Sequence, residues 1–147
     1  MALSCVEDVS IKLIDALKIC EDINFVRIYP SDLTQFPIKR PTVSVGLKKA
    51  NLPFSEGTFL GPDVNLNKYY GITLTASYEL KICVPKTMSG EDCYKAFDEI
   101  ADALLGCNDL YIINVYCADI SYDRVMGALV LTAGVDLSAD LYNIVEA

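Results

Sequence analysis

The stretch that decides the fold has the sequence ITLTASYELKICV and runs from Ile72 to Val84. Apolar residues occupy its even-numbered positions, and mostly polar residues occupy the odd-numbered ones. A period of two is typical of a β-strand with one buried face. At ~3.3 Å per residue the strand spans about 43 Å, roughly twice the common length. We therefore predict a strand over residues 72–84, with one end extending beyond the domain body.

Amphipathic helices are predicted on both sides of this strand. Residues 3–20 place apolar side chains at three- and four-residue steps, which indicates a helix with one buried stripe. After Pro85 stops the strand, Ser89 followed by acidic residues is a helix-start signal, and Gly106 marks the end of a second helix over residues 90–105. The predicted apolar stripes are Val6, Val9, Leu13, Leu17 and Cys20 in the first helix, and Cys93, Phe97, Ile100, Ala101 and Leu104 in the second.

Four further strands are predicted from β-favouring composition. They cover residues 25–29, 42–48, 110–120 and 125–137, with a turn at 121–124. The strand at 110–120 is apolar on both faces, so we expect helices or a neighbouring subunit to cover both sides. Residues 49–67 contain two Pro and two Gly and predict a long functional loop. Residues 138–146 predict a short helix or a tail.

The resulting order is α-β-β-β-α-β-β. It predicts an α+β fold with a mainly antiparallel sheet of about five strands and two helices packed on one face. A length of 147 residues, without repeats or linkers, predicts one domain over residues 1–147.

Composition limits the chemistry that the chain can perform. It has no His, and 20 acidic residues against 12 basic ones give a formal charge of −8. The absence of His excludes Ser-His-Asp and Cys-His nucleophile systems and His-containing zinc or iron sites. Acid–base catalysis would then require a perturbed carboxylate, Lys, Tyr or Cys, and no motif indicates one. We expect no catalytic residue, no metal and no cofactor.

Other sequence patterns exclude further classes. The six cysteines form no C-x-x-C pair, so we predict free thiols in a protein made in a reducing cytoplasm. Asp63, Asn65 and Asn67 begin like a calcium loop, but Lys68 and Leu74 occupy the positions that require Gly and Glu. No charge-free stretch is long enough to span a membrane. The acidic balance disfavours specific nucleic-acid binding.

Charge is divided unevenly along the chain, which favours head-to-tail contacts between copies. Residues 25–84 contain seven basic and four acidic residues, whereas residues 85–147 contain three basic and eleven acidic ones. Unlike surfaces suit the heterologous contacts that close rings. We predict that a basic set of one subunit meets an acidic helix face of the next, and that three apolar residues of the long loop dock on a neighbour or tube. These sets are Lys39, Arg40, Lys48 and Lys49; Asp98, Glu99 and Asp102; and Phe54, Phe59 and Leu60.

The element order resembles that of tail terminator (tail completion) proteins of tailed bacteriophages and prophages. The resemblance covers nearly the whole chain: the first helix leading into INFVRIYP, the strand RPTVSVG, the long loop, the long strand ending in ICVP, the helix over residues 90–105 and the closing hairpin over residues 115–137. It is a likeness of order and length without a signature motif.

The resemblance implies a structural role in the virion. It implies a homo-hexameric ring that caps the tail tube, stops its polymerisation and offers a surface to the head connector, while DNA passes through without specific binding. Such a protein assembles in the bacterial host cytoplasm and resides in the virion tail. Two alternatives stay open: another head–tail joining, tail or baseplate subunit, and a small ligand-binding α+β module.

Overall fold

The computed structural model describes residues 5–27, 40–53, 58–62, 68–108, 110–124 and 127–145. These residues form two helices and six strands, which confirms the predicted α+β class. In chain order the elements are α1 (Val6–Leu17), β1 (Asn24–Arg27), β2 (Thr42–Asn51), β3 (Thr58–Pro62), β4 (Lys68–Pro85), α2 (Gly90–Leu105), β5 (Tyr111–Asp123) and β6 (Ala128–Val145).

One mixed sheet contains all the described strands, in the order β1-β2-β4-β6-β5, with β3 paired to the beginning of β4. β1 and β2 run parallel, and the other pairs are antiparallel. β4 and β6 pair over 18 positions, from Lys68 opposite Val145 to Pro85 opposite Ala128. The predicted strand at 72–84 therefore exists within a longer one. Its extension at residues 68–71 lies between β3 and β6.

The alternation in β4 produces the core as predicted. Its residues Leu74, Tyr78, Leu80 and Ile82 are almost fully buried, and their register partners on β6 are buried too. The opposite face of β4 carries Thr, Ser, Glu and Lys. One face of the sheet is thus covered by the helices, and we call the other the open face.

Both helices pack on the covered face and against each other. α1 buries Val9, Leu13 and Leu17 there. α2 buries Cys93, Ala96, Ile100 and Leu104, so Ala96 belongs to its buried stripe whereas the predicted Ala101 is only half-buried.

Three polar contacts fix the positions of the helices. The Ser10 hydroxyl of α1 hydrogen-bonds the Tyr78 hydroxyl of β4 at 2.8 Å. The Cys20 thiol donates to the carbonyl oxygen of Glu99 on α2 at 3.5 Å. At the start of α2, the Asp92 carboxylate accepts the Ser89 backbone N–H at 2.9 Å, the return half of a capping box.

Three sequence predictions are wrong. β2 continues to Asn51 and β3 occupies Thr58–Pro62, so the 49–67 segment contains strand; its residues 54–57 and 63–67 lie outside the described residues. Residues 138–145 continue β6 because they complete the register with the beginning of β4. The turn predicted at 121–124 comes later, since β5 continues to Asp123 and Gly127 adopts a φ of 61°.

Neither described helix combines the length and apolar content needed to cross a membrane.

Candidate assembly interface

β5 is an edge of the sheet and exposes most of its side chains. It pairs with β6 on one side, and no other described strand pairs with it. Tyr111 is 72% exposed and Ile113 is 55% exposed, while Tyr116 and Tyr122 are also exposed. Of the two kinds of cover predicted for this strand, the chain's own helices do not cover both faces; cover by a neighbouring subunit stays a prediction. Only Ile112, Val115 and Ile120 pack against the core beneath the helices.

Tyr116 lies across the open face of β6. Its ring occupies the space beside Gly134, its register partner, where an added Cβ would collide with the end of the ring. Glycine at position 134 therefore allows the ring to lie flat over the neighbouring strand. The result is an exposed aromatic surface that extends from β5 onto β6.

The middle of the open face on β4 and β6 is polar and hydrogen-bonded across strands, whereas Cys83, Ala128 and Val130 form a small buried cluster at one end. Thr73 donates to the Asp140 carboxylate at 2.9 Å, and Ser77 donates to the Asp136 carboxylate at 2.7 Å. A shallow depression near the second pair is lined by Lys49, Ser77, Ile113 and Asp136, among others. Its polar groups already have partners within the sheet or face solvent, and it offers no enclosed ligand pocket.

The edge of the sheet opposite β5 is basic. Arg40, Lys48 and Lys49 are exposed there, at the start of β2 and near its end. β1 pairs with β2 only at Thr42–Val45, so the second half of β2 has no outer strand partner among the described strands. Residues 24–27 and 40–53 contain no acidic residue.

The acidic residues predicted as the contact surface are exposed on α2. Asp98, Glu99 and Asp102 lie along its outer side. Burial, together with the nearby charges of Glu99 and Asp102, raises the pKa of the Cys20 thiol. These acidic residues lie on the covered side of the sheet, whereas Lys49 faces the depression on the open face. Lys49 and these acidic residues therefore lie on opposite sides of the sheet, so a contact between them would join two copies.

The remaining predicted contact residues are Lys39, Phe54, Phe59 and Leu60. Phe59 and Leu60 lie in β3, where the structure gives the backbone pairing with β4. Lys39 and Phe54 lie outside the described residues. The docking role of Phe54, Phe59 and Leu60 and the charge contact of Lys39 stay predictions.

The described residues contain no arrangement that resembles a catalytic or metal centre. All six cysteines are free, and no group of three or more described Cys, Asp and Glu residues could hold a metal ion. Burial raises the pKa values of the Cys20, Cys83 and Cys93 thiols, that of Cys83 to about 11. Protonated, buried thiols are poor nucleophiles.

The sequence predicted helices or a neighbouring subunit over the strand at residues 110–120, but no residue of β5 was among the predicted contact residues. The available signal was the apolar character of both faces of residues 110–120. That pattern indicates excess apolar surface, but it does not reveal that β5 lies at an edge, because the position of a strand depends on its partners.

Comparisons with known proteins relate the chain through its fold. No family model and no curated protein sequence matches it. Its structure is similar to the sheath/tube terminator in the extended state of an extracellular contractile injection system, PVC. The TM-score is 0.52 with 13% identity, and the match covers 98% of this chain. The chain spans 59% of the length of that terminator. At this identity the likeness establishes a shared fold.

Proposed function

We propose that this chain is a structural protein of a phage or prophage tail that forms a homo-hexameric ring and caps the tail tube. In this role it stops tube polymerisation and offers the surface to which the head connector attaches. The fold likeness to a sheath/tube terminator over nearly the whole chain supports a place at the end of a tube. Because that neighbour terminates a sheath as well as a tube, the proposal includes contact with a sheath if the tail is contractile.

The observation that carries the proposal is the exposed edge at β5. A strand with Tyr111 and Ile113 in water is a liability unless another surface covers it. The two edges of the sheet also differ in charge. The charged residues of β5 and β6 are all acidic, whereas those of β1 and β2 are all basic. Unlike surfaces on one subunit generate heterologous contacts, which close into rings when the rotation permits.

The same proposal includes the partners and the location. The ring contacts the tube protein on one side and the head connector on the other, in the virion tail, after assembly in the host cytoplasm. DNA passes through the ring without specific binding, because acidic surfaces repel phosphate. No catalytic role is part of the proposal.

The decisive experiment combines imaging with tube assembly. Purified protein is examined by native mass spectrometry and by electron microscopy, alone and with polymerising cognate tube protein. We expect a six-membered ring, and tubes that stop growing with a ring at one end. Protein that stays monomeric and leaves tube growth unchanged would contradict the proposal.

Two control observations separate this function from the alternatives. A ring that binds the baseplate end of the tube, or assembled tails but not bare tubes, would identify another tail or baseplate subunit. A monomer that binds a small molecule would support the ligand-binding module.

A further inference from the structure

Formal charge changes sign across the sheet from one edge to the other. β1 and β2 contain Arg27, Lys48 and Lys49, and no acidic residue. In central β4, Glu79 and Lys81 lie 4.0 Å apart as an ion pair. β6 and β5 contain four Asp residues and no basic residue, namely Asp119, Asp123, Asp136 and Asp140. The two edges of the sheet in one subunit are thus electrostatically complementary.

The acidic edge also carries the exposed apolar surface. Residues 111–118 of β5 contain no charge and no Pro, and Tyr111, Ile113 and Tyr116 are exposed among them. Natural edge strands commonly carry Lys or Pro, which discourage pairing with other chains. The basic edge carries two such residues, Lys48 and Lys49, at a bulge of β2, so a partner there would meet their side chains and not a free strand backbone. β5 has bulges as well, but it has no Lys.

We infer that the partner of β5 is a second copy of this chain, and that its contact surface there is the basic edge at Arg40, Lys48 and Lys49. This inference rests on the proposed function, because it specifies the contact between neighbours in the ring. It differs from the pairing predicted from sequence, in which the acidic residues of α2 meet the lysines.

The chemistry of the two edges favours this contact over one with α2. Lysine stems cover apolar surface while their ammonium groups attract the faces of tyrosine rings and nearby carboxylates. β5 offers both kinds of partner, in Tyr111 and Tyr116 and in Asp119. The α2 surface at Asp98, Glu99 and Asp102 offers charge, but the exposed large apolar residues of α2 lie near its two ends, at Tyr94 and Leu105. Exposed charge pairs alone stabilise little.

Charge reversal in two separate variants tests the inference. The first carries Lys48→Glu with Lys49→Glu, and the second carries Tyr111→Lys with Asp119→Lys. Each variant alone places like charges at the contact, so we expect a concentration for half-assembly raised about tenfold or more. Mixed in equal amounts, the variants restore opposite charges at every alternate contact, and the wild-type pair forms at the others. We therefore expect oligomers to return on mixing.

A matched control separates specific effects from a change in net charge. Lys86→Glu with Lys95→Glu makes the same change in net charge as the first variant, at exposed positions just after β4 and on α2. We expect this control to assemble as the wild type does. Circular dichroism of all variants should match that of the wild type, because every substituted side chain is exposed.

The outcomes distinguish the inference from the proposed function. If the wild-type chain forms rings and each of the two variants forms them equally well, the inference alone is overturned. The same holds if the two variants do not recover oligomers on mixing. Recovery of the Lys48→Glu, Lys49→Glu variant by mixing with Asp98→Lys, Asp102→Lys instead would assign the contact to α2 and also overturn it. A wild-type chain that stays at its monomer mass of 16.2 kDa, with or without tubes, would overturn both.

Discussion

β4 and β5 are both long strands that pair with β6, yet their surroundings are opposite. β4 lies between two neighbours, and its apolar residues point under the helices, where Leu80 and Ile82 have no exposed surface. β5 has one neighbour and leaves Ile113 and Tyr111 in water. Apolar side chains of this chain therefore lie in two different environments. In β4 they stabilise the subunit, and in β5 we propose that they stabilise the assembly.

The largest expected effect distinguishes these environments directly. Leu80→Ala in β4 removes a fully buried side chain, so we expect the free energy of unfolding to fall by about 2–5 kcal/mol. Ile113→Ala in β5 removes a side chain that is 55% exposed, and we expect a fall within about 0.5 kcal/mol. Urea denaturation under conditions that keep both proteins monomeric measures the two values.

The same two substitutions should affect assembly in the opposite order. Under conditions in which both variants are folded, Ile113→Ala should weaken oligomers more than Leu80→Ala does. Equal destabilisation of the subunit by both substitutions would show that β5 contributes to the core as β4 does.

Two tyrosines provide a smaller, matched comparison. Tyr78→Phe in β4 removes a buried hydroxyl that bonds Ser10 at 2.8 Å, and we expect a loss of about 1 kcal/mol. Tyr116→Phe in β5 removes the hydroxyl of a side chain that is 42% exposed, so we expect the free energy of unfolding to be nearly unchanged. Thermal unfolding of the two variants checks the difference. A larger loss for Tyr116→Phe would mean that β5 is covered within the monomer.

A substitution at Gly134 tests whether the Tyr116 ring of β5 packs on the open face of β6. Gly134→Ala should displace the Tyr116 ring from β6 and lower stability by about 1 kcal/mol or less, because the end of an exposed ring can move. Tyrosine fluorescence is a suitable measurement, since the chain has no Trp. In a Tyr116→Ala background the same glycine substitution should have no such cost. A full cost in that background would mean that the backbone at 134 is itself strained.

One further effect on stability appears only in alkali. Burial raises the pKa of the Cys83 thiol in β4 to about 11, above its usual 9.0, so the unfolded chain loses this proton first. Stability is therefore unaffected by this group below pH 9 and falls as the pH rises from 9 through 11. Cys83→Ala should reduce that fall, whereas Cys117→Ala at the exposed thiol of β5 should not. Denaturation midpoints across this pH range measure both.

The sequence predicts the helices and strands better than it predicts which strands lie next to each other in the sheet. The alternation around Leu74 and Leu80 identifies β4, and Ser89 with Asp92 identifies the start of α2, because both signals are local. The extension of β6 was missed because Ser138 and Asp140 are polar. They lie on the open face, and pairing with β4, far away in sequence, keeps them in the strand.

The candidate interface was predictable only in part. The exposure of Asp98 and Lys48 follows from their place in local patterns and is confirmed. The edge position of β5 follows from the order of strands in the sheet, which composition does not determine. Long-range pairing therefore decides which apolar residues remain in water.

The register of β6 has a consequence for how the chain folds. β6 follows every other described strand in sequence but lies between β4 and β5 in the sheet, and it pairs residue 68 with residue 145. Contacts of such high sequence separation form slowly, and during synthesis the earlier elements wait for the last strand to emerge. Because β5 is attached to the sheet through β6 alone among the described strands, its apolar edge takes its place only in a finished subunit. A nascent chain that has not yet made β6 therefore lacks the surface with which we propose that a folded one recruits its neighbours.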